Sequence, residues 1–127
     1  MRIKREVSAG LVIDIQEKLF PHMDQKEELL KKCTMLMEGL KVLGVPLVVT
    51  EQYPKGLGGT VEEIFEMVGQ DPVIEKIAFS CCDEPAVLQT AVLQSRKTVI
   101  VCGIEAHVCV LQTVVDLVGS GYSAVVV

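Results

Sequence analysis

Several residue types are scarce in this chain of 127 residues, and each shortage excludes a class of protein. Aromatic residues make up only 4% and tryptophan is absent, so the core must be built from aliphatic side chains. The two histidines, His22 and His107, have no second histidine at ligand spacing, which argues against a zinc site. The 12 basic residues are outnumbered by 17 acidic ones, giving a net charge of −5. This charge argues against a nucleic acid or an anionic membrane as partner and favours a small molecule or a protein.

Longer patterns are missing as well. No apolar run approaches the roughly 18 to 20 residues that a membrane helix needs. Neither a Gly-x-Gly-x-x-Gly motif nor a phosphate loop occurs, which leaves a nucleotide-binding function without support. The five cysteines include no Cys-x-x-Cys pair and no secretory signal precedes them, so we expect reduced thiols inside the cell. The expected compartment is the cytoplasm, with the mitochondrion as the alternative.

What the chain does contain is a repeated alternation of strand and helix patterns. Apolar runs predict strands over residues 7–15, 46–51, 73–79, 98–103 and 123–127. Helical patterns lie between them, over residues 25–43, 85–95 and 106–118. A further short helix is predicted to follow Thr60 and to end at about residue 68. The first two helices are predicted to begin with capping boxes, formed by Asp24 with Glu27 and by Thr60 with Glu63. Gly44 is expected in the left-handed conformation after the first helix.

This alternation predicts one domain over residues 1–127, a three-layer α/β/α Rossmann-like fold with a parallel sheet of strand order 3-2-1-4-5. In such sheets a ligand binds beyond the carboxyl ends of the strands, here between the first and fourth strands. The chain stops inside the fifth strand, at Val125-Val126-Val127, with no turn after it. We therefore expect the domain to be truncated at its C-terminus.

Three residues able to do chemistry fall at that edge of the sheet. Asp14 ends the first strand, Lys76 lies in the third, and Cys109 lies about one turn into the helix after the fourth. A thiol at a helix start is expected to favour the thiolate. Each residue also has a plain structural interpretation: Cys109 as core, Asp14 as a turn residue, and Lys76 as a strand residue whose amine reaches water. Together they form a complete set for nucleophilic catalysis.

The helical wheel favours the interpretation of Cys109 as a nucleophile. Cys109 lies in line with Glu105, Gln112 and Asp116. The predicted apolar stripe runs instead through Val108, Leu111, Val114, Val115 and Val118. A purely structural thiol would sit on that stripe. The catalytic interpretation further requires the Cys109 sulfur, the Asp14 carboxylate and the Lys76 amine to converge, because the reacting groups must reach one another.

Three segments resemble those of the isochorismatase-like cysteine hydrolases, a family that includes nicotinamidases and N-carbamoylsarcosine amidohydrolases. Leu-Val-Ile-Asp-Ile-Gln at 11–16 resembles the opening strand that carries the catalytic aspartate. The strand around Lys76, followed by Phe79-Ser80, resembles the lysine segment, and residues 103–110 resemble the nucleophile segment. The resemblance spans essentially the whole chain in the family's order. It also implies a sixth strand, which this chain lacks.

The resemblance implies a triad, with Cys109 as nucleophile, Asp14 as base and Lys76 as the cation that favours the charged forms. It implies an oxyanion hole made by the backbone N–H groups of Glu105 and Cys109, and a cis peptide bond between Ile104 and Glu105. A lysine near a thiolate and a carboxylate stabilises both anions, in agreement with these roles. Candidate residues of the substrate pocket are Gln16, Phe20, Tyr53 and His107.

Departures from the family pattern narrow the chemistry. The metal-binding members carry histidines soon after the second strand, where this chain reads Thr-Glu-Gln-Tyr-Pro at 50–54. We therefore expect no metal and no cofactor, and the segment resembles the metal-free branch of the family, whose substrates are mostly unassigned. The neighbours Cys81 and Cys82 are interpreted as packing residues, because adjacent cysteines form a strained disulfide.

Two functions compete at this point. The first is a metal-independent cysteine hydrolase that cleaves a C–N bond in a small amide-like metabolite through a thioester. The second is a catalytically silent binding or scaffold subunit, since a truncated sheet exposes an edge that a partner chain could cover. Homo-oligomers are expected in either case.

Overall fold

The computed structural model describes residues 1–127 and contains one five-stranded parallel sheet. Its order is β3-β2-β1-β4-β5, as predicted. The strands are β1 (Ser8–Ile13), β2 (Leu47–Gln52), β3 (Val73–Lys76), β4 (Thr98–Gly103) and β5 (Ser123–Val126). The central strand β1 pairs through Val12 with Val49 on one side and with Cys102 on the other. The switch point between β1 and β4 is therefore at the middle of the sheet.

Helices cover both faces of the sheet. They are α1 (Lys26–Val42), α2 (Pro54–Leu57), α3 (Glu62–Val68), α4 (Pro85–Leu88), α5 (Ala91–Gln94) and α6 (Leu111–Gly119). All six residues of β1 are buried, and its apolar side chains are divided between two apolar clusters. Val12 packs with residues of α1 and α3, whereas Leu11 and Ile13 pack with residues of α4 to α6. This continuous burial is what a parallel sheet between two helical layers requires, and the three-layer α/β/α prediction is confirmed.

Both predicted capping boxes are wrong. Helix α1 begins after Gln25, which has a left-handed backbone (φ 49°), and no side chain caps its N-terminus. Helix α3 also begins without a side-chain cap, because it starts one residue later than the motif requires, with Val61 at the N-cap, and the Thr60 hydroxyl donates to Glu51 Oε2 at 2.7 Å. The left-handed conformation of Gly44 after the first helix is confirmed (φ 70°).

The segment from the third strand to the fourth is more broken than predicted. Strand β3 ends at Lys76 rather than at residue 79, because the chain turns so that the carbonyls of Ala78 and Phe79 accept hydrogen bonds from the Lys76 ammonium. The helix predicted over residues 85–95 is split into α4 and α5. Thr90 separates them, and its hydroxyl accepts a hydrogen bond from the Leu93 N–H at 3.3 Å, which caps α5.

The helix after β4 starts with a π-helical turn over Ala106–Val110 before α6 begins. A π turn takes more residues than an α turn, so a wheel drawn at 3.6 residues per turn gives the wrong inward face. The inward positions are Val110, Thr113 and Leu117, which are buried. On the predicted apolar stripe, Leu111, Val115 and Val118 are between 53% and 60% exposed. The predicted stripe is therefore wrong, and Cys109 lies on the buried side.

Candidate active site

The site is built where β1 and β4 end side by side. Gly103, the last residue of β4, pairs with Ile13 and has φ 133°. A Cβ atom at Gly103 would collide with the backbone of Ile13, so only glycine allows this close approach. The next residue along β1 is Asp14, which has a left-handed backbone (φ 53°) and donates its N–H to the Thr50 carbonyl at 3.2 Å. This turn brings the Asp14 side chain into the protein, where it is fully buried.

Asp14 and Lys76 form a buried ion pair. Lys76 Nζ lies 2.8 Å from Asp14 Oδ2, and neither side chain is accessible to solvent. The ammonium donates three hydrogen bonds, to Gln52 Oε1 at 2.7 Å and to the carbonyls of Phe79 at 2.9 Å and Ala78 at 3.0 Å. The other oxygen of Asp14, Oδ1, accepts from the Thr50 hydroxyl at 2.8 Å. Lys76 therefore does not reach water, contrary to its plain structural interpretation.

The Cys109 thiol lies near this pair, close enough for the charges of Asp14 and Lys76 to act on its pKa. The pKa of Cys109 is raised to about 11, mainly by burial and then by the negative charge of Asp14, while the positive charge of Lys76 opposes this rise. This direction is opposite to the one expected for a thiol at a helix start. The resting site accordingly holds a neutral thiol next to a carboxylate, so a base has to remove the thiol proton before sulfur can attack.

The three side chains are almost closed to solvent. Cys109 is 6% exposed and is one of the buried members of the apolar cluster between the sheet and helices α4 to α6. None of the four cavities of the structure is lined by Asp14 or Cys109. The cavity nearest to the site has a volume of about 330 Å³, and Tyr53, Glu75 and Lys76 are among its lining residues.

The segment between β4 and the π-helical turn presents backbone donors. The Ile104–Glu105 peptide bond is cis, as the resemblance implied. The Ile104 N–H donates to the Ile13 carbonyl at 2.9 Å, whereas the Glu105 N–H donates to no group of the chain. The Glu105 N–H is therefore open to an acceptor from outside the chain.

The four pocket candidates lie in different environments. Gln16 is fully buried. Its side-chain amide donates to the carbonyls of Gln52 and Gly58, each at 2.8 Å, and accepts from the Gln52 N–H at 2.6 Å. Gln16 therefore joins the end of β2 to the loop at Gly58 and does not line a pocket. Phe20 packs against the apolar cluster beneath α1. Tyr53 is half-exposed on the 330 Å³ cavity. The His107 side chain is 77% exposed, 4.0 Å from the Glu105 carboxylate.

Two residues in contact with the site are absent from the sequence-based prediction. Thr50 and Gln52 lie two positions apart in the polar second half of β2, and they contact Asp14 and Lys76 respectively. Alternate residues of a strand share one face, so this spacing was the available signal. Cys81 and Cys82, interpreted as packing residues, are buried and half-buried, and all five cysteines are free.

No group of three or more histidine, cysteine or acidic side chains is arranged to hold a metal ion. None of the helices combines the length and apolar character needed to cross a membrane. The metal-free character of the site stays a prediction.

The sheet order, the helices on both faces and the site at the β1–β4 switch point define an isochorismatase-like α/β/α domain. The chain belongs to the isochorismatase family, because the family model described as "Isochorismatase domain" matches residues 8–127. Membership in this family supports a hydrolase.

Individual proteins similar to this chain support its membership in the isochorismatase family. Isochorismatase domain-containing protein 1 of Danio rerio is 36% identical over 114 residues, which cover 90% of this chain and 40% of that protein. Secreted isochorismatase effector Isc1 of Phytophthora sojae is 40% identical over 125 residues, which cover 94% of this chain and 59% of that protein. The chain thus spans about half the length of these relatives.

A solved structure, described as the MAR1 ribonuclease from Caenorhabditis elegans, is similar to the whole chain. Its TM-score is 0.91 at 40% sequence identity, and the match covers 100% of this chain and 65% of that one. The fold prediction therefore agrees with a solved relative as well as with the family.

Proposed function

We propose that this domain is a metal-independent cysteine hydrolase that cleaves the C–N bond of a small amide-like metabolite. The observation that carries the proposal is the buried ion pair of Asp14 and Lys76 at the switch point of the sheet, where α/β domains bind their ligands, with the charges of both residues acting on the Cys109 thiol. Cys109 is the nucleophile, Asp14 the base and Lys76 the cation in this proposal.

The first half of the reaction forms a thioester. Asp14 Oδ2 takes the proton of the Cys109 thiol as sulfur attacks the carbonyl carbon, which forms a C–S bond and a tetrahedral oxyanion. The C–N bond then breaks, and the leaving amine takes the proton from Asp14. Since the pKa of Cys109 is raised to about 11, this transfer depends on a nearby base, and the effect of the Asp14 charge on that pKa supports Asp14 in this role.

The second half hydrolyses the thioester. Asp14 takes a proton from water as the hydroxide oxygen attacks the acyl carbon, the C–S bond breaks, and Asp14 returns the proton to sulfur. The oxyanion in both halves is stabilised by the backbone N–H groups of Glu105 and Cys109. The Glu105 N–H supports this assignment, because no group of the chain accepts its hydrogen bond.

The test is ammonia release from a panel of small primary amides and ureido compounds. The Cys109→Ala variant should release none, and Cys102→Ala is the matched control. Cys102 is also buried, but it packs in the cluster on the opposite face of the sheet. Equal turnover by wild type and Cys109→Ala would contradict the proposal.

RNA is the second candidate substrate, because the nematode structure with 40% identity is called a ribonuclease. The net charge of −5 weighs against it, since phosphate contacts need basic side chains. Incubation with a labelled single-stranded RNA separates the candidates, because cleavage that survives in Cys109→Ala is not explained by the thioester route.

The scaffold alternative and the expected homo-oligomer share one observation, the exposed apolar residues Leu111, Val115 and Val118 on α6. Exposed apolar patches mark interaction surfaces. Light scattering of the wild type and of Val115→Lys tests whether the chain self-associates through these residues of α6. A monomeric wild type would count against self-association.

An assembled chain that turns over no amide would favour the scaffold function. A cytoplasmic location is likewise a proposal.

A further inference from the structure

Two cysteines outside the candidate active site lie together between α1 and the sheet. Cys33 is on the inward side of α1, one turn before the buried Met37. Cys102 is in β4 and pairs with Val12, whose side chain belongs to the same apolar cluster as both thiols. This cluster is on the opposite face of the sheet from the cluster that contains Cys109. The two thiols therefore form a pair that the proposed hydrolysis does not use.

The two thiols line the same small cavity. Its volume is about 60 Å³, which leaves room for only a few water molecules. Cys33 and three more residues of α1 line it on the helix side, and Cys102 and Val127 line it on the sheet side. Because the cavity is this narrow, Cys33 and Cys102 are neighbours across it, and their sulfur atoms have space to approach each other.

The two side chains also act on each other's ionisation. The pKa of Cys33 is lowered, mainly by the side chain of Cys102, and burial opposes this change. The pKa of Cys102 is raised by Cys33 and by burial. Burial also raises the pKa of Cys81, Cys82 and Cys109. Cys33 is thus the thiol that ionises most readily in this chain, and the thiolate is the form that attacks an oxidant.

The small cavity adjoins a larger one that reaches the surface. Lys32, Leu36 and Val127 line both cavities. The larger cavity has a volume of about 380 Å³, and its lining residues Met35 and Leu43 are exposed. A molecule as small as hydrogen peroxide therefore has a path from solvent toward the two thiols.

We propose that Cys33 and Cys102 are a second reactive site of this domain, a dithiol that a small hydroperoxide oxidises to a disulfide between α1 and β4. In the first step the Cys33 thiolate attacks one oxygen of hydrogen peroxide and the O–O bond breaks. Cys33 becomes a sulfenic acid, and the other oxygen leaves as hydroxide, which the proton released by Cys33 converts to water.

The second step closes the disulfide. The sulfur of Cys102 attacks the sulfur of Cys33, an S–S bond forms and the S–O bond breaks. The hydroxide that leaves takes the proton of Cys102 and becomes a second water. The peroxide is thereby reduced to water, and the two thiols are oxidised to one disulfide.

The test is a peptide map of the folded chain after treatment with hydrogen peroxide, with the remaining thiols alkylated in urea. We expect two of the five thiols to be lost and a tryptic peptide pair to be linked through Cys33 and Cys102. The tryptic peptide of Cys102 also contains Cys109, so the map is repeated on Cys109→Ala, in which the link should persist. Dithiothreitol should restore both thiols.

Oxidation should also stabilise the fold. A disulfide between α1 and β4 closes the loop of residues 33–102 and restricts the unfolded chain, so the urea midpoint should rise after peroxide and return after reduction. Cys33→Ala and Cys102→Ala should lose this rise. Cys82→Ala removes a thiol from outside the pair and is the matched control, which should keep the rise.

Met35 reports whether peroxide has reached the cavities. It is exposed, lines the larger cavity and lies in the same tryptic peptide as Cys33. Conversion of Met35 to the sulfoxide while Cys33 and Cys102 both stay reduced would overturn the proposal. A disulfide between other cysteines, a link between two chains, or a Cys33 oxidised beyond the sulfenic acid without a link would also overturn it. The wild-type map decides these outcomes even if an alanine variant does not fold.

Discussion

The buried ion pair of Asp14 and Lys76 can be tested through stability alone. Both side chains have no exposed surface, and their charged atoms are 2.8 Å apart. At an effective dielectric constant of about 20, two unit charges at this distance attract by about 6 kcal/mol, and desolvation offsets much of that attraction. Removing one partner leaves the other charge buried and uncompensated, which costs about 3 to 5 kcal/mol.

The two single variants should differ in a defined order. Lys76→Met leaves Asp14 with one hydroxyl donor, from Thr50, whereas Asp14→Asn leaves Lys76 with its three acceptors. The free energy of unfolding should therefore fall by about 3 to 5 kcal/mol in Lys76→Met and by less in Asp14→Asn. The double variant carries no buried charge and should be more stable than the sum of the two effects predicts, with a coupling of about 2 kcal/mol or more.

The assay is urea denaturation of the four proteins, with Lys31→Met as a control at an exposed lysine of α1. The control should leave the urea midpoint unchanged. Additive effects of the two single variants would refute the reasoning, because independent residues add and a charge pair does not.

Three further predictions concern the thiols and the β1–β4 junction. Because the pKa of Cys109 is raised to about 11, its labelling by iodoacetamide should be slow at neutral pH. The labelling rate should rise about tenfold per pH unit until the pH approaches 11. A labelling rate that no longer changes with pH near neutrality would contradict the raised pKa. Burial also raises the pKa of Cys82 to about 11. The folded protein therefore keeps protons on Cys82 and Cys109 that the unfolded chain releases above about pH 9. The free energy of unfolding should accordingly fall as the pH rises from 9 to 11, as measured by urea denaturation. Gly103→Ala should lower the free energy of unfolding by at least about 2 kcal/mol in urea denaturation, because its Cβ meets the backbone of Ile13. Gly119→Ala, with open space around the added Cβ, should be neutral or slightly stabilising.

The sequence was sufficient for the sheet order and for the meeting of Asp14 with Lys76. Both follow from a general property of parallel sheets, since the carboxyl ends of neighbouring strands share one edge. Local rules were less reliable. The capping box at Thr60 failed because the helix starts one residue later, with Val61 at the N-cap, and the Thr60 hydroxyl donates to Glu51. Cys109 has a raised pKa because burial and the charge of Asp14 outweigh the charge of Lys76.

The register of α6 and the support of the ion pair depend on three-dimensional packing. A π turn before α6 rotates the helix, so Leu111 and Val115 are exposed. No residue pattern in the sequence predicted this turn. Thr50 and Gln52 look like ordinary polar interruptions of a strand until the positions of Asp14 and Lys76 are known.

The central claim is that Cys109 forms a covalent thioester. The most direct measurement is whole-protein mass spectrometry after acid quenching during turnover of an amide that the panel identifies. We expect a mass increase equal to the acyl part of the substrate, located on the peptide that contains Cys109 and absent from Cys109→Ala. A protein that stays unmodified throughout steady turnover, or an acyl group on another cysteine such as Cys82, would contradict the account.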